Sequence, residues 1–483
     1  MTPAARIQAV IDILGDLAKT NQPVDRHLRD WGRAHRFAGS KDRAAIGERV
    51  YAIQRRRAWF AWRMGDGTPR SLVIGSLLDE GDLEALFTGG GYGPSALSDA
   101  ERAAIASPPK EVPPLHVLGG YPEFLQEELR RFTATTLVIP EVAQRLSGTH
   151  RDMSQWVPAQ RSLREPGRDD NLLLDEMLAL QSRAPADLRV NTLKTSRDDL
   201  LHALRAEGYD ASETPFSPMG VRIASGEAKL GRSALFESGA FEFQDEAAQI
   251  AALLCGAKPG TRVLDLAAGA GGKSLALAAI MRNEGEIVAT DIRFDALVEL
   301  ERRAVKASAT IIRRSPLPHK GGGEGQGEGV SKVERAAAAH SPRPSPPLRG
   351  GEGGSFFDIV LVDAPCSGTG TWRRQPELRW RLTAERIEEL KATQDALLKK
   401  AAAYVKPGGR LVYATCSILP SENEDRVAAF LESHRDFAVM PASEVWRESV
   451  GTNPLPALGQ FFRASPFSTQ TDGFFTAILE RNA

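Results

Sequence analysis

The chain has 483 residues, of which 42% are hydrophobic and 25% charged, and its formal net charge is −1. This composition is that of an ordinary globular protein, and the length corresponds to about three domains. Three cysteines in so long a chain exclude a disulfide framework, and the absence of any run of about 18 or more apolar residues argues against a membrane span.

The N-terminal segment combines helical periodicity with positive charge. Apolar residues recur at helical spacing at Ile7, Val10, Ile11, Leu14 and Leu17. Helix-like pieces continue beyond them, so we predict an all-α domain over residues 1–115. Residues 1–70 carry 14 Lys and Arg against 7 Asp and Glu, a local charge of +7. Such asymmetry indicates either a polyanion such as nucleic acid as partner, or a solvated helical face.

The same N-terminal segment does not have the pattern of a secretory signal. Asp12 and Asp16 lie inside its apolar pattern, where a signal peptide requires an uninterrupted apolar region. We therefore predict a cytoplasmic protein without membrane contact, and we expect a monomer.

Residues 116–243 form a linker followed by a second predicted domain. Residues 116–171 form the linker, in which 133–171 interrupts a helical pattern and is predicted to be an insertion or a disordered segment. Over residues 172–243 the helix LLDEMLAL, the strand LRVNTLK and the capped amphipathic helix SRDDLLHALRAEGYD follow one another. This order predicts a small α/β module.

From residue 244 to 483, strands and helices alternate. Short β-branched runs, predicted to be strands, read TRVLDL, GEIVATD, FDIVLVDAP and GRLVYATC. Such alternation is typical of a mostly parallel sheet covered by helices, which binds ligands at the carboxyl ends of its strands. Asp265, Asp291, Asp363 and Cys416 lie at or just beyond four such ends, so we expect them to share one crevice.

Residues 315–354 do not fit this pattern. They contain ten Gly and six Pro in forty residues, and SPLPHKGGGEG at the start is loosely repeated by SPRPSPPLRGGEGG at the end. A segment of this composition cannot form a core. We predict an inserted repetitive element in a surface loop, where added length costs little closure entropy.

A glycine-rich turn, DLAAGAGGKS, follows the first strand of this domain. It differs from the G-x-x-x-x-G-K-[ST] phosphate loop because Ala267 stands where the first glycine is required. A turn between strand and helix still allows close backbone approach to a ligand, and Asp291 at the next strand end is placed to accept ribose hydroxyls. The pair favours an adenosine-containing cofactor, either NAD or S-adenosylmethionine; a tight turn with a solvated Asp is the alternative.

Two cysteines stand at strand ends facing the same predicted crevice. Cys366 lies in VDAPCSGTG and Cys416 in YATCSILPSENED. Free cysteines are usually small buried hydrophobes, but backbone amides at such a crevice can stabilise a thiolate. We therefore assign chemistry to these two and packing to Cys255, which ends an apolar helix.

The motifs FEFQDEAAQ, LDLAAGAGGKS, LVDAPCSGTGTWRR, YATCS and TDGFF, in this order, resemble those of the Sun/Nop2 family of RNA cytosine-C5 methyltransferases. The chain is most similar to the RsmB/Sun branch, which methylates small-subunit ribosomal RNA. The resemblance implies a NusB-like RNA-binding domain, a small α/β RNA-binding module and a Rossmann-like methyltransferase domain that uses S-adenosylmethionine and no metal.

The resemblance also implies roles for individual residues. Cys416 would attack carbon 6 of cytosine, Asp363 would assist at ring N3, and Cys366 would act in product release. Lys273 would assist at the substrate. The cofactor would be held by Ala267, Ala268, Gly269, Ala270, Gly271, Gly272, Lys273, Asp291 and Asp363.

The predicted contacts with RNA come from all three domains. They are Arg33, Arg36, Lys41 and Arg43 in the first domain, Arg189, Asn191 and Lys194 in the second, and Trp372, Arg373 and Arg374 after the Cys366 turn. Arg379 and Arg381 follow in the same basic stretch. For the arginines of that stretch, simple solvation of a charged surface is the alternative.

One feature departs from the family pattern. The family usually has an acidic residue after the third strand of the cofactor domain, yet no Asp occurs between Asp295 and Asp358. We expect either weaker cofactor binding or a backbone group in place of that carboxylate. A catalytically weak RNA-binding or assembly factor therefore stays open as an alternative function, and a P-loop ATPase as a more remote one.

Overall fold

The computed structural model describes residues 1–135, 168–225, 227–315, 356–451 and 459–483. The first predicted insertion (133–171) lies outside these residues except at its two ends, which continue helices. The second (315–354) lies outside them except for Ser315. Within the described residues, no helix is both long and apolar enough to cross a membrane.

The N-terminal part of the structure is helical, as predicted. Its helices are α1 (Pro3–Leu17), α2 (Val24–Ala34), α3 (Ser40–Arg55), α4 (Arg57–Met64), α5 (Pro69–Leu77), α6 (Asp99–Ala106) and α7 (Leu115–Gly119). Thr2 and Thr68 cap α1 and α5 by accepting backbone N–H groups, and a proline follows each cap. The apolar faces of α1, α3 and α5 bury Ile13, Val50 and Val73 in one core.

Two further helices connect this core to the rest of the chain. They are α8 (Gln126–Thr135) and α9 (Arg168–Gln181), and they pack against each other with Leu129 and Leu173 fully buried. Tyr121, Trp372 and Leu419 belong to the same apolar cluster. The connecting helices therefore share a core with the C-terminal domain.

The second module is a small sheet. Its elements are β1 (Ala186–Val190), α10 (Arg197–Ala206), β2 (Asp210–Glu213), β3 (Gly220–Ser225), α11 (Ala234–Glu237) and β4 (Phe241–Phe243). The strands lie in the order β2-β3-β1-β4, and all pairs are antiparallel. Ser196 caps α10 by accepting the N–H of Asp199, as its sequence predicts.

The C-terminal domain contains an eight-stranded sheet. Its elements are α12 (Glu246–Leu253), β5 (Arg262–Asp265), α13 (Gly272–Ile280), β6 (Glu286–Ala289), α14 (Phe294–Ala307), β7 (Ile312–Arg314), β8 (Phe357–Asp363), α15 (Leu378–Arg381), α16 (Ala384–Ala402), β9 (Val405–Thr415), α17 (Glu424–Ser433), β10 (Phe437–Met440), α18 (Ala442–Ser449), β11 (Phe462–Ala464), α19 (Pro466–Thr469) and β12 (Phe474–Arg481).

The strand order of this sheet is β10-β12-β9-β8-β5-β6-β7, with β11 paired to β12. Strands β5 to β9 run parallel, whereas β12 is antiparallel to β9, β10 and β11. The predicted doubly wound sheet is confirmed, and its four predicted strands are β5, β6, β8 and β9. The chain order changes direction around β5, so the carboxyl ends of β5 and β8 border the crevice.

The N-terminal helices are attached to this domain through the segment that follows Cys366. The guanidinium of Arg379, which is fully buried, donates to the carbonyl oxygens of Arg55 (3.3 Å), Gly120 (2.8 Å) and Leu180 (3.1 Å). These carbonyls lie at the C-terminal ends of α3, α7 and α9. Three helix ends with partial negative charge thus take the place of a carboxylate partner.

Candidate active site

The glycine-rich turn between β5 and α13 is shaped by two glycines with positive φ. Gly269 has φ 55° and Gly271 has φ 83°, values that favour glycine. A Cβ on Gly271 would lie 2.6 Å from Cγ of Leu300, so the turn packs directly on α14. Helix α13 begins without a side-chain cap, which leaves its first N–H groups available to a ligand.

Asp291 follows β6 and borders this turn. Its Oδ2 accepts the N–H of Gly269 at 2.8 Å, and its Oδ1 accepts the N–H of Arg293 at 2.8 Å. Burial acts to raise the pKa of Asp291, but hydrogen bonds from Arg293 and Gly269 outweigh it and keep the pKa below its usual value. The carboxylate is therefore ionised beside the turn. The guanidinium of Arg293, whose side chain is exposed, also donates to it at 3.2 and 3.3 Å, so hydroxyl groups of a ligand would replace this guanidinium.

Asp265 ends β5 beneath the same turn. Its Oδ2 accepts the hydroxyl of Ser274 at 2.6 Å, whereas Oδ1 is buried and has no hydrogen-bond partner. Burial, opposed by Ser274 and reinforced by the charge of Asp363, raises the pKa of Asp265 to about 7. An unpartnered buried oxygen and an uncapped helix are features that suit a polar ligand such as an aminoacyl nucleoside.

The small module supports the turn from below. Arg189 of β1 donates to the carbonyl oxygen of Gly272 at 2.6 Å and to the side chain of Gln244. Arg303 of α14 donates to the carbonyl of Ala270 at 2.6 Å and pairs with Glu242 of β4 at 2.8 Å. The turn that would bind the cofactor is thus held by two arginines. One of them, Arg189, was predicted from the sequence to contact RNA.

Lys273 and Asp363 meet at the carboxyl ends of β5 and β8. The Nζ of Lys273 lies 2.6 Å from Oδ2 of Asp363, and 4.8 Å from the ring centre of Phe474. The lysine side chain is 7% exposed and the aspartate 36%. The structure therefore joins two of the predicted catalytic residues in one ion pair that solvent reaches from the aspartate side.

The two predicted catalytic cysteines lie together. Their Sγ atoms are 3.4 Å apart although the residues are 50 positions apart in sequence. Gly370 donates its N–H to the carbonyl of Cys416, and Gly473 donates to the carbonyl of Gly370. A Cβ on Gly370 would lie 2.1 Å from the oxygen of Gly473, so only glycine permits this crossing of the two turns.

The pKa values of Cys366 and Cys255 are both raised, with different leading causes. The hydrogen bond with Cys416, then burial, raises the pKa of Cys366 well above its usual value, and the charge of Glu422 adds to this. Burial raises the pKa of Cys255 to about 12, and that thiol is completely enclosed in the core. The prediction that Cys255 is a packing residue agrees with this environment.

A buried polar cluster lies behind the two cysteine turns, and the sequence did not single it out. Glu422 accepts the N–H of Ser367 at 2.9 Å, and the hydroxyls of Ser367 and Ser417, both at 2.5 Å. Gln394 of α16 donates to the same carboxylate at 3.0 Å. The available signal was an acidic residue six positions after Cys416, inside the quoted motif.

The residues predicted to bind RNA after the Cys366 turn have partners inside the protein. Trp372 is fully buried, and the guanidinium of Arg379 lies 4.7 Å from its ring centre. Arg373 and Arg374 both pair with the buried Asp472, and Arg374 also pairs with Asp245 at 2.9 Å. Contact of these residues with RNA stays a prediction, and it would require them to leave these partners.

In the small module the predicted RNA contacts are also engaged. Asn191 is buried and donates to the carbonyls of Gly239 and Ala307 at 2.9 and 2.8 Å. The exposed Lys194 donates to the carbonyls of Ser238 and Lys306. Both side chains hold β1 against neighbouring segments. Arg189, described above, is likewise buried, and burial lowers its pKa to about 10.

The predicted contacts in the N-terminal domain lie on the surface around the α2–α3 loop. All four side chains are exposed: Arg33, Arg36, Lys41 and Arg43. Arg33 is 3.2 Å from Asp30, and Arg43 donates to the carbonyl of Ala38. The ring of Phe37, 73% exposed, lies in the same loop. This surface is accessible to a polyanion. Among the described residues, no cluster of three metal-ligating side chains is present.

Two family models match this chain. Residues 175–228 match the model described as the RsmF/B-like ferredoxin-like domain, and residues 345–480 match that of the 16S rRNA methyltransferase RsmB/F. The first range covers most of the small sheet, and the second includes both cysteines, Asp363 and Glu422.

Curated proteins with related sequences bear corresponding names. The chain is 31% identical over 353 residues to the ribosomal RNA small subunit methyltransferase B of Photorhabdus laumondii, covering 73% of this chain and 72% of that protein. It is 28% identical to the protein of the same name from Shewanella oneidensis, covering 92% of each. The match to the "Probable ribosomal RNA small subunit methyltransferase B" of Synechocystis is 32% identical, and spans 61% of this chain and 60% of that protein.

Solved structures share the fold. The crystal structure of PH0851 superimposes with a TM-score of 0.66 at 24% identity, covering 100% of this chain and 99% of that one. The structure of NSun6 from Pyrococcus horikoshii, solved with the S-adenosylmethionine analogue SFG, gives a TM-score of 0.51 at 18% identity, covering 65% and 96%. At these identities the likeness establishes the arrangement of the elements.

Proposed function

Because the chain belongs to the RsmB/F family of 16S rRNA methyltransferases, we propose that it methylates carbon 5 of a cytosine in small-subunit ribosomal RNA. The methyl donor is S-adenosylmethionine. The proposal includes specificity for carbon 5 and a covalent route. They rest on two cysteines whose sulfurs lie 3.4 Å apart beside an Asp–Lys pair.

The residues around the glycine-rich turn fit the cofactor. The backbone from Ala267 to Gly272 and the uncapped start of α13 would hold its aminoacyl end, and Asp291 would accept the ribose hydroxyls. When bound, the cofactor supplies an electrophilic methyl group. Directly after β7, where the family usually has an acidic residue, this chain has the buried Ser315. Its N–H donates to the carbonyl of Ala289.

Carbon 5 of cytosine is too weak a nucleophile to take the methyl group unaided. In the proposed route the Cys416 thiolate bonds to carbon 6, which places an electron pair on carbon 5 for the transfer. The proton on carbon 5 then leaves, its electron pair forms the 5,6 double bond, and the bond from Cys416 to carbon 6 breaks. We assign assistance in this release to Cys366.

Asp363 and Lys273 would serve the charge that develops on the ring. As Cys416 adds, negative charge builds toward N3, and the proton shared by the Lys273–Asp363 pair would pass through Asp363 to that nitrogen, to return when Cys416 is released. Lys273 holds the aspartate at 2.6 Å and supplies a positive charge at the same place. The ion pair would thus orient the aspartate before the base arrives.

The RNA must present this cytosine unstacked, since the base has to enter the crevice. The exposed basic residues around the α2–α3 loop, Arg33, Arg36 and Lys41, would contact the phosphate backbone outside the crevice. Phosphate contacts of this kind give affinity and register, while the crevice selects the base.

The direct test uses the full chain, S-adenosylmethionine with a labelled methyl group, and protein-free small-subunit rRNA from a strain that lacks the enzyme. We expect label at a single cytosine, mapped as 5-methylcytosine. Binding of this RNA without any methyl transfer would instead favour the RNA-binding or assembly-factor alternative. Label on an atom other than carbon 5 would retain the methyltransferase and reject the covalent route.

A further inference from the structure

Glu422 has a hydrogen-bond donor for each of the roughly four acceptor sites of its carboxylate. Its side chain is fully buried, and four donors reach it: the N–H and hydroxyl of Ser367, the hydroxyl of Ser417 and the amide of Gln394. Its own carbonyl accepts the hydroxyl of Tyr413 at 2.6 Å. Burying a carboxylate carries a desolvation cost of several kcal/mol, so we looked for what this arrangement achieves.

The donors belong to both cysteine turns. Ser367 directly follows Cys366, and Ser417 directly follows Cys416. The two serine hydroxyls lie 3.2 Å apart, and Thr369 bridges them by approaching Ser417 at 3.0 Å and Ser367 at 3.3 Å. One carboxylate therefore fastens together, one residue behind each thiol, two loops that come from different strands.

We propose that Glu422 is a positioning residue that sets the relative placement of Cys366 and Cys416 for the covalent cycle. This inference rests on the proposed function, because it assigns the two thiols different steps of one reaction. Without the carboxylate, Ser367 and Ser417 could still bond to each other, and Gln394 of α16 would still donate to the carbonyl of Pro365 at 3.0 Å, but no group would join both serines to α16.

The charge of Glu422 also acts on Cys366. Cys366 is faced by Cys416, Glu422 and the hydroxyl of Tyr413, while the N–H of Gly368 opposes them. The hydrogen bond with Cys416 and burial raise the pKa of Cys366 most, and the carboxylate raises it further. A negative charge behind Cys366 disfavours its thiolate form, which suits a role in release rather than in attack.

Three variants separate the charge from the reach of this side chain. Glu422→Gln keeps the shape and removes the charge; Glu422→Asp keeps the charge and shortens the side chain. Glu176→Gln is the matched control, because Glu176 is also fully buried and accepts a serine hydroxyl (Ser465, 2.8 Å) and a backbone N–H. It lies on α9, remote in sequence from both cysteine turns.

The first measurement is alkylation of each cysteine by iodoacetamide from about pH 7 to about pH 11, resolved by peptide mass spectrometry, because the pKa of an ordinary thiol is about 8.5 and that of Cys366 is raised well above its usual value. In Glu422→Gln we expect the midpoint of Cys366 to move to lower pH, by up to about one unit. Glu422→Asp and Glu176→Gln should leave it in place. This readout needs no turnover and therefore holds even if the proposed reaction is wrong.

The second measurement is steady-state methyl transfer. Both Glu422 variants should lose kcat on the order of 10- to 100-fold, with the KM values for RNA and S-adenosylmethionine unchanged. Glu176→Gln should retain the wild-type kcat. A Cys366 midpoint and a kcat that are both unchanged in Glu422→Gln would overturn the inference. An inactive wild-type protein would overturn the proposed function instead, while the alkylation profile still decides the effect of Glu422 on Cys366.

Discussion

Lys273 and Asp363 are 90 residues apart in sequence, yet Nζ of the first lies 2.6 Å from Oδ2 of the second. One residue belongs to the first turn of α13, the other ends β8. The ion pair thus lies between the cofactor turn and the cysteine turns. A base entering this crevice would meet a carboxylate that is already oriented by an almost fully buried ammonium group.

Replacing Asp363 tests this arrangement. In Asp363→Asn we expect methyl transfer to fall about 10²- to 10⁴-fold, because the group that assists at N3 is lost, while RNA affinity is retained. Asp358→Asn is the control, since Asp358 lies at the other end of β8 and pairs with Lys406. Single-turnover transfer and RNA binding measure the two effects. Equal rates for the Asn variant and the wild type would remove Asp363 from the chemistry.

The two cysteines should fail in different ways. Cys416→Ala removes the nucleophile, so neither adduct nor product forms. Cys366→Ala permits attack and transfer but slows release, so protein–RNA adduct should accumulate as a denaturation-resistant band that requires S-adenosylmethionine. The band should be absent from the double variant. Cys255→Ala is the control for loss of a thiol. A band with Cys416→Ala would show that the two roles are reversed.

Asp291→Ala should weaken cofactor binding and spare RNA binding. The carboxylate would lose its ribose hydrogen bonds, worth about 1.5–3 kcal/mol, or about 10- to 100-fold in Kd. It would also release the N–H of Gly269, which it holds at 2.8 Å. Titration calorimetry with S-adenosylmethionine measures the change, and the exposed Asp295→Ala serves as the neighbouring control. An unchanged Kd would place the ribose elsewhere.

Glu176 should make stability depend on pH. Burial, opposed by Ser465, raises its pKa to about 7 in the folded state, whereas it is near 4.5 when unfolded. Its contribution is therefore fully present below pH 4.5 and is lost as the pH rises through 7. Relative to Glu176→Gln, the wild type should lose on the order of 3 kcal/mol over that interval. Urea unfolding at several pH values tests this; parallel profiles for the two proteins would contradict it.

Arg379 should be important for attachment of the N-terminal helices. Arg379→Met would leave three helix-terminal carbonyls without their donor, at a cost on the order of 3–5 kcal/mol. We expect a lower Tm and faster proteolysis between the helical and catalytic domains. The control is Arg386→Met, which removes an exposed arginine paired with Glu389 on α16. Indistinguishable proteolysis of the two variants would argue against this attachment.

The sequence predicted the parallel part of the sheet because its strands are apolar, short and followed by helices. The ends of β5, β6, β8 and β9 were therefore correctly placed, and with them Asp265, Asp291, Asp363 and Cys416. Strand β7, the remaining parallel strand, was not predicted. Strands β10, β11 and β12 were not predicted either. They are antiparallel additions without the strand–helix alternation on which the prediction depended.

The sequence could not reveal which polar side chains meet across long separations. Arg373 was assigned to RNA because basic residues follow the Cys366 turn, yet its guanidinium pairs with Asp472, 99 positions away. Glu422 was overlooked for the same reason, since its importance depends on Ser367, 55 positions away. Periodicity reports which face of an element is buried; it does not report the partner of a buried charge.

The position of β12 in the sheet constrains the order of folding during translation. Every other strand of the large sheet is translated before residues 474–481, yet β12 lies between β9 and β10, and among the described strands β10 has no other neighbour. Gly473, just ahead of it, supplies the N–H that binds Gly370. We therefore expect the large sheet and the crossing of the two cysteine turns to be completed only after this last strand has been translated, and a chain truncated before residue 474 to lack methyl transfer.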